Sequence, residues 1–543
     1  MNGTPKTPPP LNEPILPYGP GSVEKKSLKA RIAQMKSTEV DIPLYIGDKE
    51  IRTGKTGDCR CPHDHAKKLG RYHQGGAKET AAAISAALKA RKEWAAMPFA
   101  ARAAIFLKAA DLLAGDWRWT LNAATMLGQS KNVFQAEIDS ACELIDFLRF
   151  NVHFAERIYA EQPLSARGTW NRLEYRPLEG FVFAVSPFNF TAIAGNLPSA
   201  PALMGNTVVW KPAPSAMYSA NFLMQLWKAA GLPDGVINMV VGPPEEIGEV
   251  ALSHPQLAGV HFTGSTGVFQ KMWAKVGGNI ANYRTYPRLV GETGGKDFVM
   301  VHPSADLDVV ATALVRGAFE FQGQKCSAAS RAYVPDSMWR KLKSRIGEEL
   351  ETLRMGSPED FRNFITAVID RKAYDKIKGY VDWARKAKDE VRMLYGGRCD
   401  DSKGFFIEPT VLEAKDPAAR TLCEEIFGPV LTIYVYPENK FEETLRLCDQ
   451  TSPYALTGAI FAADRAAVER ASEVLVNAAG NFYINDKPTG STVGQQPFGG
   501  ARASGTNDKA GSPFNLMRWT SPRTIKENFD PPKDYRYPFL AEA

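Results

Sequence analysis

The sequence has no long apolar run, no strong excess of one charge and no cysteine pattern typical of a secreted protein. None of its segments approaches the roughly 20 apolar residues that a membrane-spanning helix needs. Its 66 basic and 60 acidic residues leave a net charge of +6 over 543 residues. That excess is too small to favour nucleic acid or an anionic membrane surface. We therefore expect no nucleic-acid partner and no membrane partner.

The seven cysteines are irregularly spaced, which argues against a disulfide framework and for a reducing compartment. The first 20 residues are rich in proline and contain no arginine. They lack the apolar core of a secretory signal and the arginine-rich pattern of a mitochondrial transit peptide. We expect residues 1–20 to be a flexible leader and the protein to be cytoplasmic; the alternative is the mitochondrial matrix, with a targeting segment removed.

Strand and helix patterns alternate through the first half of the chain. A helical pattern from Met217 to Ala230 stops at Gly231, as expected of a glycine C-cap. Apolar strands are predicted at Phe181–Val185, Thr207–Trp210, Val236–Val241 and Gly259–Phe262. The alternation predicts an α/β fold with a parallel, doubly wound sheet and a nucleotide site at its carboxyl edge.

A second α/β stretch runs from Leu289 to about Val476, with strands at Phe298–Val301 and Leu431–Val435. A chain of this length is too long for one hydrophobic core, so two or more domains are expected.

Three further segments have clear periodicities. Helical spacing covers Lys78–Leu113 and Asn132–Ile158, whereas Thr169–Arg176 alternates like a half-exposed strand. The proline-rich, aromatic tail Pro513–Ala543 looks like an extended arm.

Cys326 differs in its surroundings from most of the other cysteines. It lies in the polar, glycine-containing turn Phe321-Gln-Gly-Gln-Lys-Cys326, beside Lys325. A thiol in such a turn is expected to be accessible, with its thiolate favoured by the neighbouring positive charge. Burial without function is the ordinary interpretation of a single cysteine and suits Cys142, Cys423 and Cys448 better.

Glu292 is a lone acid among glycines in Leu289-Val-Gly-Glu-Thr-Gly-Gly-Lys296. Most glutamates are solvated surface groups, but this one follows a predicted strand in a segment where backbone can approach closely. We consider it a candidate general base.

Other candidate residues follow predicted strands. Asn189, in Ser186-Pro-Phe-Asn-Phe190, has an amide that can donate to an oxyanion, although a turn-capping role is equally compatible. Lys211 is a cation at a strand end. The glycine-rich turn Phe262-Thr-Gly-Ser-Thr-Gly267 can offer N–H groups to a phosphate, but it is not a full dinucleotide fingerprint.

The segment Cys59-Arg-Cys-Pro-His-Asp-His65 contains metal-ligand residue types. Its spacing is too tight for the usual zinc patterns, and no second pair occurs nearby. We predict a surface loop here and no metal site.

These motifs together resemble the aldehyde dehydrogenase superfamily from about Asn12 to about Asn528. The separation of Glu292 and Cys326, 326 − 292 = 34 residues, is the superfamily's own, and Glu425-Ile-Phe-Gly-Pro429 matches its cofactor-side motif. The segments Thr489–Asp508 and Arg518–Pro522 are more specifically similar to the 1-pyrroline-5-carboxylate dehydrogenase family, as are the N-terminal segments Asn12–Pro14 and Tyr18–Ser22.

The resemblance implies NAD-dependent oxidation of L-glutamate γ-semialdehyde to L-glutamate through a thioester. Cys326 is then the nucleophile, Glu292 the general base and Asn189 an oxyanion donor. The implied cofactor-binding residues are Ser186, Pro187, Phe188, Lys211, Gly264, Ser265, Gly291, Glu425 and Phe427. The implied substrate-binding residues are Phe190, Ser327, Gly490, Ser491 and Phe498.

The resemblance also implies a division of the chain and an oligomer, expected to be a homodimer or a higher homo-oligomer. The leader is followed by an NAD-binding domain (21–159 and 179–290) and a catalytic domain (291–485). The hairpin 160–178 and the segment 486–543 supply oligomerisation elements, the substrate anchor loop and the C-terminal arm.

Several alternatives stay open. The substrate could be another semialdehyde, such as succinate semialdehyde, or the chain could be a non-catalytic protein that kept the fold. A fragment of a bifunctional proline-oxidising enzyme is a third alternative, although nothing resembles a flavin-binding barrel. Pro214 stands where many NAD-specific relatives have an acid, so a strict preference for NAD over NADP is not established by the sequence.

Overall fold

The structure is a computed structural model that describes residues 6–541. Its α-helices are α1 Val23–Ser37, α2 Ala77–Ala96, α3 Phe99–Ala114, α4 Trp117–Gln129, α5 Val133–Ala136, α6 Leu144–Ala160, α7 Thr191–Leu203, α8 Met217–Ala230, α9 Pro244–Ser253, α10 Thr266–Gly278, α11 Leu307–Phe319, α12 Asp336–Thr352, α13 Arg371–Lys386, α14 Arg420–Cys423, α15 Phe441–Gln450, α16 Arg465–Val474 and α17 Pro513–Met517. A π-helical segment, Glu137–Glu143, joins α5 to α6, and short 3₁₀ turns lie at Pro214–Ala216, Ile280–Asn282, Glu320–Gly323, Glu438–Lys440 and Pro538–Ala541.

The strands are β1 Val40–Ile42, β2 Leu44–Ile46, β3 Lys49–Ile51, β4 Thr56–Cys61, β5 Asp64–His73, β6 Thr169–Pro177, β7 Phe181–Val185, β8 Thr207–Lys211, β9 Ile237–Met239, β10 Leu257–Thr263, β11 Arg288–Glu292, β12 Asp297–Val301, β13 Ala329–Pro335, β14 Val391–Tyr395, β15 Cys399–Asp400, β16 Phe406–Ile407, β17 Thr410–Ala414, β18 Val430–Tyr436, β19 Tyr454–Ala455, β20 Thr457–Phe461, β21 Asn481–Ile484, β22 Ala501–Arg502 and β23 Thr520–Asn528. Two seven-stranded sheets dominate, in the orders β11-β10-β7-β8-β9-β2-β3 and β14-β17-β18-β13-β12-β20-β21.

The first sheet has a parallel centre covered on both faces. Nearly every residue of β7, β8 and β10 is buried, which explains why these strands are continuous apolar runs in the sequence. The predicted strands at Phe181 and Thr207 are confirmed, and the one at Val236–Val241 is shorter than predicted. The predicted helix Met217–Ala230 is confirmed as α8; Gly231 caps it with φ 92°.

Two predicted helical runs are interrupted. The run from Lys78 to Leu113 is two helices, α2 and α3, because Pro98 between them cannot continue a helix. The run from Asn132 to Ile158 contains the π-helical segment, in which Glu137 and Asp139 are fully buried. A one-turn π-helical insertion is a feature often found at functional sites.

The second sheet is also parallel apart from its edge strand β14, which pairs antiparallel with β17. Three of its helices begin at side-chain caps: Asp306, Asp370 and Asp464 each accept a backbone N–H at the start of α11, α13 and α16. The strand predicted at Phe298–Val301 is confirmed within β12, and that at Leu431–Val435 within β18.

The predicted strand at Thr169–Arg176 is confirmed as β6. It pairs antiparallel with β23 in a two-stranded ribbon, from Thr169↔Asn528 to Pro177↔Thr520. The chain's tail therefore supplies an extended strand, as expected of an arm, after the short helix α17.

The expectation of a loosely attached leader does not hold for the described part of residues 1–20. Residues 7–18 are held by hydrogen bonds to α4, α6 and the π-helical segment, beginning with the Thr7 backbone N–H on Glu156 Oε2 at 2.7 Å. The prediction for Met1–Pro5 lies outside the described residues.

The surface loop predicted around Cys59 is wrong. Cys59 and Cys61 are buried in β4, and His63 is buried with its Nδ1 3.0 Å from Ser130 Oγ. The polar residues and Pro62 are typical of a loop, but Pro62 lies in the tight turn between β4 and β5. Among residues 6–541 there is no group of three or more His, Cys, Asp or Glu side chains arranged to hold a metal ion.

Within the part of the chain that the structure describes, none of the helices combines the length and apolar character needed to cross a bilayer.

Candidate active site

A cavity of about 540 Å³ lies where the carboxyl edge of the first sheet meets the loops of the second. It contains both proposed reactive groups, Cys326 and Glu292, together with Gly291. The predicted substrate residues Phe190, Ser327, Gly490, Ser491 and Phe498 line it as well. The structure therefore brings together eight residues selected from sequence segments up to 308 positions apart (498 − 190).

The parallel register of the first sheet explains the placement of several candidates. Val185 is paired with Lys211 and with Phe262, and Thr263 with Glu292. The residues that follow these strands therefore share one edge, which is where α/β sheets bind their ligands. Ser186–Asn189, Lys211, Gly264–Ser265 and Glu292 all belong to this edge.

Cys326 is held by a loop with unusual backbone angles. Phe321, Gln322 and Gly323 all have positive φ, between 52° and 65°. The side chains of Gln322 and Gln324 point inward and accept backbone N–H groups from Thr366 and Ile369, at 3.0 and 2.9 Å. These two glutamines, which suggested a polar and exposed turn, are therefore buried, and their hydrogen bonds hold the loop in place.

The expected activation of Cys326 by Lys325 is wrong. Lys325 Nζ donates to Glu320 Oε2 at 3.2 Å, so its charge is already paired. Cys326 itself is only 9% exposed. Burial, followed by the nearby charge of Glu292, raises the pKa of the Cys326 thiol, and the resting nucleophile is the neutral thiol.

Glu292 ends β11 and is fixed by its neighbours. The Thr293 N–H donates to Ser504 O at 2.9 Å, and Gly291 O accepts the Thr506 N–H at 2.9 Å. Burial raises the pKa of Glu292 to about 8, the positive charge of Lys509 opposes this shift, and Asp508 adds to it. A carboxyl tuned to this range can act as a general base near neutral pH.

The glycines after Glu292 permit close approaches. A Cβ on Gly295 would lie 2.0 Å from the carbonyl oxygen of Cys326, so only glycine fits there. A Cβ on Gly294 would lie 2.7 Å from the carboxylate of Glu425. The glycines of the Gly-Glu-Thr-Gly-Gly-Lys motif therefore allow the segment that carries the base to pack closely against the nucleophile's loop and Glu425.

Asn189 does not line the cavity but contacts the nucleophile's loop. Its Nδ2 donates to the carbonyl oxygen of Gln324 at 3.0 Å, two residues before Cys326. A carboxamide nitrogen has two hydrogens, so this bond leaves one available for another acceptor.

The predicted cofactor residues other than Gly291 lie outside the cavity, along the shared edge and at Glu425–Phe427. The Glu425 carboxylate accepts the Gly295 N–H at 2.9 Å, and burial raises its pKa. Phe427 has φ 61°, and its ring packs edge-on against the ring of Phe188, with 5.9 Å between the ring centres.

On the sheet edge itself, Lys211 is buried, and burial lowers its pKa. Ser186 Oγ accepts the indole N–H of Trp210 at 2.9 Å. Pro187 lies between Ser186 and Phe188 in the loop after β7. Pro214 begins the 3₁₀ turn that follows β8.

The anchor loop, residues 489–498, forms the opposite wall of the cavity. Ser327 Oγ and Thr489 Oγ1 lie 2.8 Å apart, which joins the nucleophile's segment to this loop. Gly490 has φ 91°, and a Cβ there would lie 3.2 Å from Lys487 Nζ. Phe498 and Ala510 exchange two backbone hydrogen bonds at the loop's end, at 3.0 and 2.7 Å.

Charged residues that the sequence did not single out also surround the cavity. Glu143 and Lys487 line it, and burial followed by the charge of Asp139 raises the pKa of Glu143. Lys131 Nζ pairs with Asp139 at 2.8 Å, with both side chains fully buried, and lies 3.9 Å from the ring centre of Phe190. In the sequence, charged residues such as Asp139 and Glu143 stand within an otherwise apolar helical run, and this was the available signal that they belong to a site.

Comparison with known proteins agrees with this geometry. The sequence pattern of the aldehyde dehydrogenase family matches residues 50–525. The mitochondrial delta-1-pyrroline-5-carboxylate dehydrogenase of Dictyostelium discoideum is 52% identical over 538 residues, 98% of this chain and 96% of that protein. The mitochondrial human enzyme of the same name is 49% identical over 530 residues, 97% of this chain and 94% of that protein.

Solved structures of the same group of enzymes are also similar to this chain. The delta-pyrroline-5-carboxylate dehydrogenase of Mycobacterium tuberculosis, crystallised with NAD, superposes with a TM-score of 0.96 at 52% identity over 100% of both chains. The Thermus thermophilus 1-pyrroline-5-carboxylate dehydrogenase R100A mutant superposes with a TM-score of 0.90 at 32% identity over 97% of this chain and 100% of that one. The chain therefore belongs to the aldehyde dehydrogenase family, beside the 1-pyrroline-5-carboxylate dehydrogenases that it resembles over nearly its whole length.

Proposed function

We propose that this protein oxidises L-glutamate γ-semialdehyde, which is in equilibrium with 1-pyrroline-5-carboxylate, to L-glutamate with NAD as the electron acceptor. This reaction is the second oxidative step of proline breakdown. One observation carries the proposal: a single cavity is lined by a buried thiol (Cys326), a carboxyl whose pKa burial raises to about 8 (Glu292) and the polar wall of Ser327, Gly490 and Ser491.

The residues along the sheet edge fit NAD. Ser265 is the N-cap residue of α10, but its side chain makes no capping hydrogen bond. The first N–H groups of the helix are therefore free of a capping side chain and can bind a pyrophosphate. The buried Lys211 amine and the half-buried Glu425 carboxylate suit ribose hydroxyls, which both donate and accept. Phe427, packed on Phe188, would contact the nicotinamide. When bound, NAD supplies the acceptor for the hydride that leaves the aldehyde carbon.

The first half of the reaction belongs to Cys326. The thiol proton passes to water, the sulfur bonds to the aldehyde carbon, and the carbonyl oxygen becomes an oxyanion. Asn189 Nδ2 and the Cys326 backbone N–H are the donors we assign to that oxyanion, a type of contact worth about 3 kcal/mol in other enzymes. Re-formation of the carbonyl as the hydride departs leaves a thioester on Cys326.

The second half belongs to Glu292. Its carboxylate takes a proton from water as the water oxygen attacks the thioester carbon, and the carbon–sulfur bond breaks. The product is a carboxylate, and the Cys326 sulfur recovers a proton. No histidine is required for this cycle.

The far end of the substrate is an amino acid, and the cavity has complementary groups for it. Ser327, Ser491 and the Gly490 N–H can donate to a carboxylate without a full buried counter-charge. Glu143 and Asp146 line the same cavity and suit an ammonium group. The rings of Phe190 and Phe498 suit the short aliphatic chain between them.

We infer that the chain is divided as its sequence suggests, with residues 21–159 and 179–290 binding NAD and 291–485 carrying the nucleophile. We further infer a homodimer or a higher homo-oligomer formed through the β6–β23 ribbon, because Trp170 on this ribbon is 51% exposed and the neighbouring Phe529 is 63% exposed. The compartment we propose is the cytoplasm or the mitochondrial matrix, where all seven free thiols would stay reduced.

The mechanism is tested by Cys326→Ala. We expect NADH formation from 1-pyrroline-5-carboxylate to fall at least about 10³-fold, because no other residue forms the thioester. Binding of NAD, measured by calorimetry, should change little because the cofactor residues lie elsewhere. Cys448→Ala, at a buried thiol outside the cavity, is the matched control. Comparable turnover in Cys326→Ala would exclude the mechanism.

The substrate is tested by competition. The unmodified protein should oxidise 1-pyrroline-5-carboxylate with a kcat/KM well above that for succinate semialdehyde, which has no ammonium group to pair with the acidic side of the cavity. A higher kcat/KM for succinate semialdehyde would assign the protein to that substrate instead.

A further inference from the structure

The segment Leu11–Tyr18, which we call the N-terminal strap, lies across the outer side of the substrate cavity. Asn12, Glu13 and Ile15 are part of the cavity lining. The strap is thus a wall of the substrate site, although it is more than 300 residues from Cys326 in the chain.

The strap is firmly attached to the helices beneath it. Both carboxylate oxygens of Glu13 are used, one by Arg118 Nη1 at 2.6 Å and one by Arg149 Nη1 at 2.7 Å. The Leu16 N–H and the Tyr18 hydroxyl both donate to the buried carboxylate of Glu137, at 2.9 and 2.6 Å. These bonds give Asn12, one residue before Glu13, a fixed position.

Asn12 joins two parts of the cavity wall. Its Nδ2 donates to Asp146 Oδ2 on α6 and to the carbonyl oxygen of Val493 in the anchor loop, each at 2.8 Å. Its Oδ1 accepts from Gln495 Nε2 in the same loop at 2.9 Å. The side chain therefore makes one hydrogen bond to the helix and two to the loop.

Only a carboxamide of this length suits the position. It requires two donor hydrogens on one atom and an acceptor on the next, a combination that neither aspartate nor serine provides. An aspartate would also place a negative charge against Asp146. The residue type and its three partners indicate a specific bridge rather than incidental surface polarity.

The bridge reaches the anchor loop two residues after Ser491. The two ends of the loop are held by other contacts. Thr489 is hydrogen-bonded to Ser327 at one end, and Phe498 pairs with the backbone of Ala510 at the other. The bonds from Asn12 to Val493 and Gln495 are contacts of the loop's middle with another part of the chain. Displacement of Val493 would be passed directly to Gly490 and Ser491.

We propose that Asn12 is a positioning residue for substrate recognition, which holds the anchor loop so that Gly490 and Ser491 can bind the substrate's carboxylate. The proposal rests on the function proposed above. Asn12 is given no role in thioester chemistry, because its contacts are with the loop and with α6, and it touches neither Cys326 nor Glu292.

Asn12→Ala removes the bridge while leaving the rest of the strap attached. We expect KM for 1-pyrroline-5-carboxylate to rise about tenfold, the effect of about 1.4 kcal/mol, with a smaller change in kcat at saturation. Hydrolysis of p-nitrophenyl acetate, a small ester that Cys326 can cleave without the amino-acid subsite, should stay within about twofold. Amide hydrogen exchange of residues 489–498, measured without substrate, should become faster.

Thr7→Val is the matched control, because Thr7 lies four residues before the strap and its hydroxyl bonds to Glu156, away from the anchor loop. It should leave KM and loop exchange unchanged. If Asn12→Ala does not fold, Gln495→Leu can be used, because it removes one of the two hydrogen bonds between Asn12 and the loop. It should raise KM about threefold.

The proposal is overturned if KM for Asn12→Ala stays within about twofold of the unmodified value, or if ester hydrolysis falls in parallel with 1-pyrroline-5-carboxylate turnover. Failure of the proposed function is recognised separately: the unmodified protein would then not oxidise 1-pyrroline-5-carboxylate at all. In that case the exchange rates of residues 489–498 still decide whether Asn12 holds the loop.

Discussion

At the scale of single residues, the pKa values of the two reactive groups are both raised above their ordinary values. Burial raises the pKa of the Cys326 thiol, and it raises that of Glu292 to about 8. Two anions close together in a buried site would repel each other, and the charge of Glu292 accordingly adds to the rise in the pKa of Cys326. The cavity favours a neutral pair that ionises as the reaction proceeds.

The protonation of Glu292 predicts the pH dependence of the reaction. A base acts as its carboxylate, so the fraction of Glu292 in its active form falls as the pH drops through about 8. We expect the rate of thioester hydrolysis to rise with pH and to level off above that value. Glu292→Gln should flatten this profile and slow the step about 10²-fold to 10⁴-fold, as is usual for loss of a general base. Single-turnover kinetics would measure the step directly.

In Glu292→Gln the first turnover should still release NADH, so a burst followed by a very slow phase is expected. Glu174→Gln, on the exposed β6, is the control and should keep the unmodified profile. A Glu292→Gln variant with the same rise in rate towards pH 8 would show that another group is the base.

The sequence identified these residues by type and neighbours, but it could not give their environments. Lys325 was expected to activate Cys326, and it is instead paired with Glu320. The glutamines of the Cys326 loop were expected to be solvent-exposed, but they are buried and hydrogen-bonded to the backbone of a neighbouring segment. Such pairings depend on groups brought together only by the fold.

At the scale of elements, the base is fixed by a short pairing between two distant segments. Residues 504–506 run against the end of β11, with a bridge between Gly505 and Glu292. Gly505 has φ 136°, and a Cβ there would lie 2.3 Å from the carbonyl oxygen of Gly291. This pairing connects the region after the anchor loop to the base itself.

Gly505→Ala should therefore damage both stability and activity. The added methyl must displace Gly291, and alanine at this φ adds backbone strain of about 1–3 kcal/mol. We expect a lower midpoint of urea unfolding and a loss of kcat, since Glu292 would move with its strand.

Gly277→Ala is the matched control, because its Cβ would meet nothing within 4 Å and the residue is helical. It should be neutral or stabilising by up to about 1 kcal/mol. Unchanged urea unfolding in Gly505→Ala would contradict the close approach at Gly291.

Elements with local signals could be predicted from sequence, and those without could not. The central strands of the first sheet are unbroken apolar runs, and α8 ends at a glycine. The break between α2 and α3 also has a local signal, Pro98. The π-helical segment had none, and the N-terminal strap could not be foreseen because Asn12 and Val493 are 481 positions apart.

At the scale of the whole molecule, the β6–β23 ribbon is a candidate contact between subunits. It is formed from the internal strand β6 and the tail strand β23, and it exposes large apolar side chains. Such groups on a two-stranded ribbon are typical of surfaces that are covered in an assembly.

Trp170→Glu should weaken that assembly. A buried charge at a subunit interface costs several kcal/mol unless it is paired, so the mass from light scattering should fall towards that of one chain. Tyr286→Glu, at a residue 82% exposed outside the ribbon, is the control and should leave the mass unchanged. An unaltered mass in Trp170→Glu would place the contact elsewhere.

The burial of Cys326 has a consequence for the chemical durability of the protein. Peroxide and alkylating reagents attack thiolates, and Cys326 rests as a buried thiol. Cys399 and Cys423 are only partly buried, and both lie outside the cavity. Iodoacetamide at neutral pH should therefore label these two cysteines first while dehydrogenase activity persists, and peptide mass spectrometry against residual activity would follow the order. The same seclusion that keeps the nucleophile protonated would then spare it during oxidative stress.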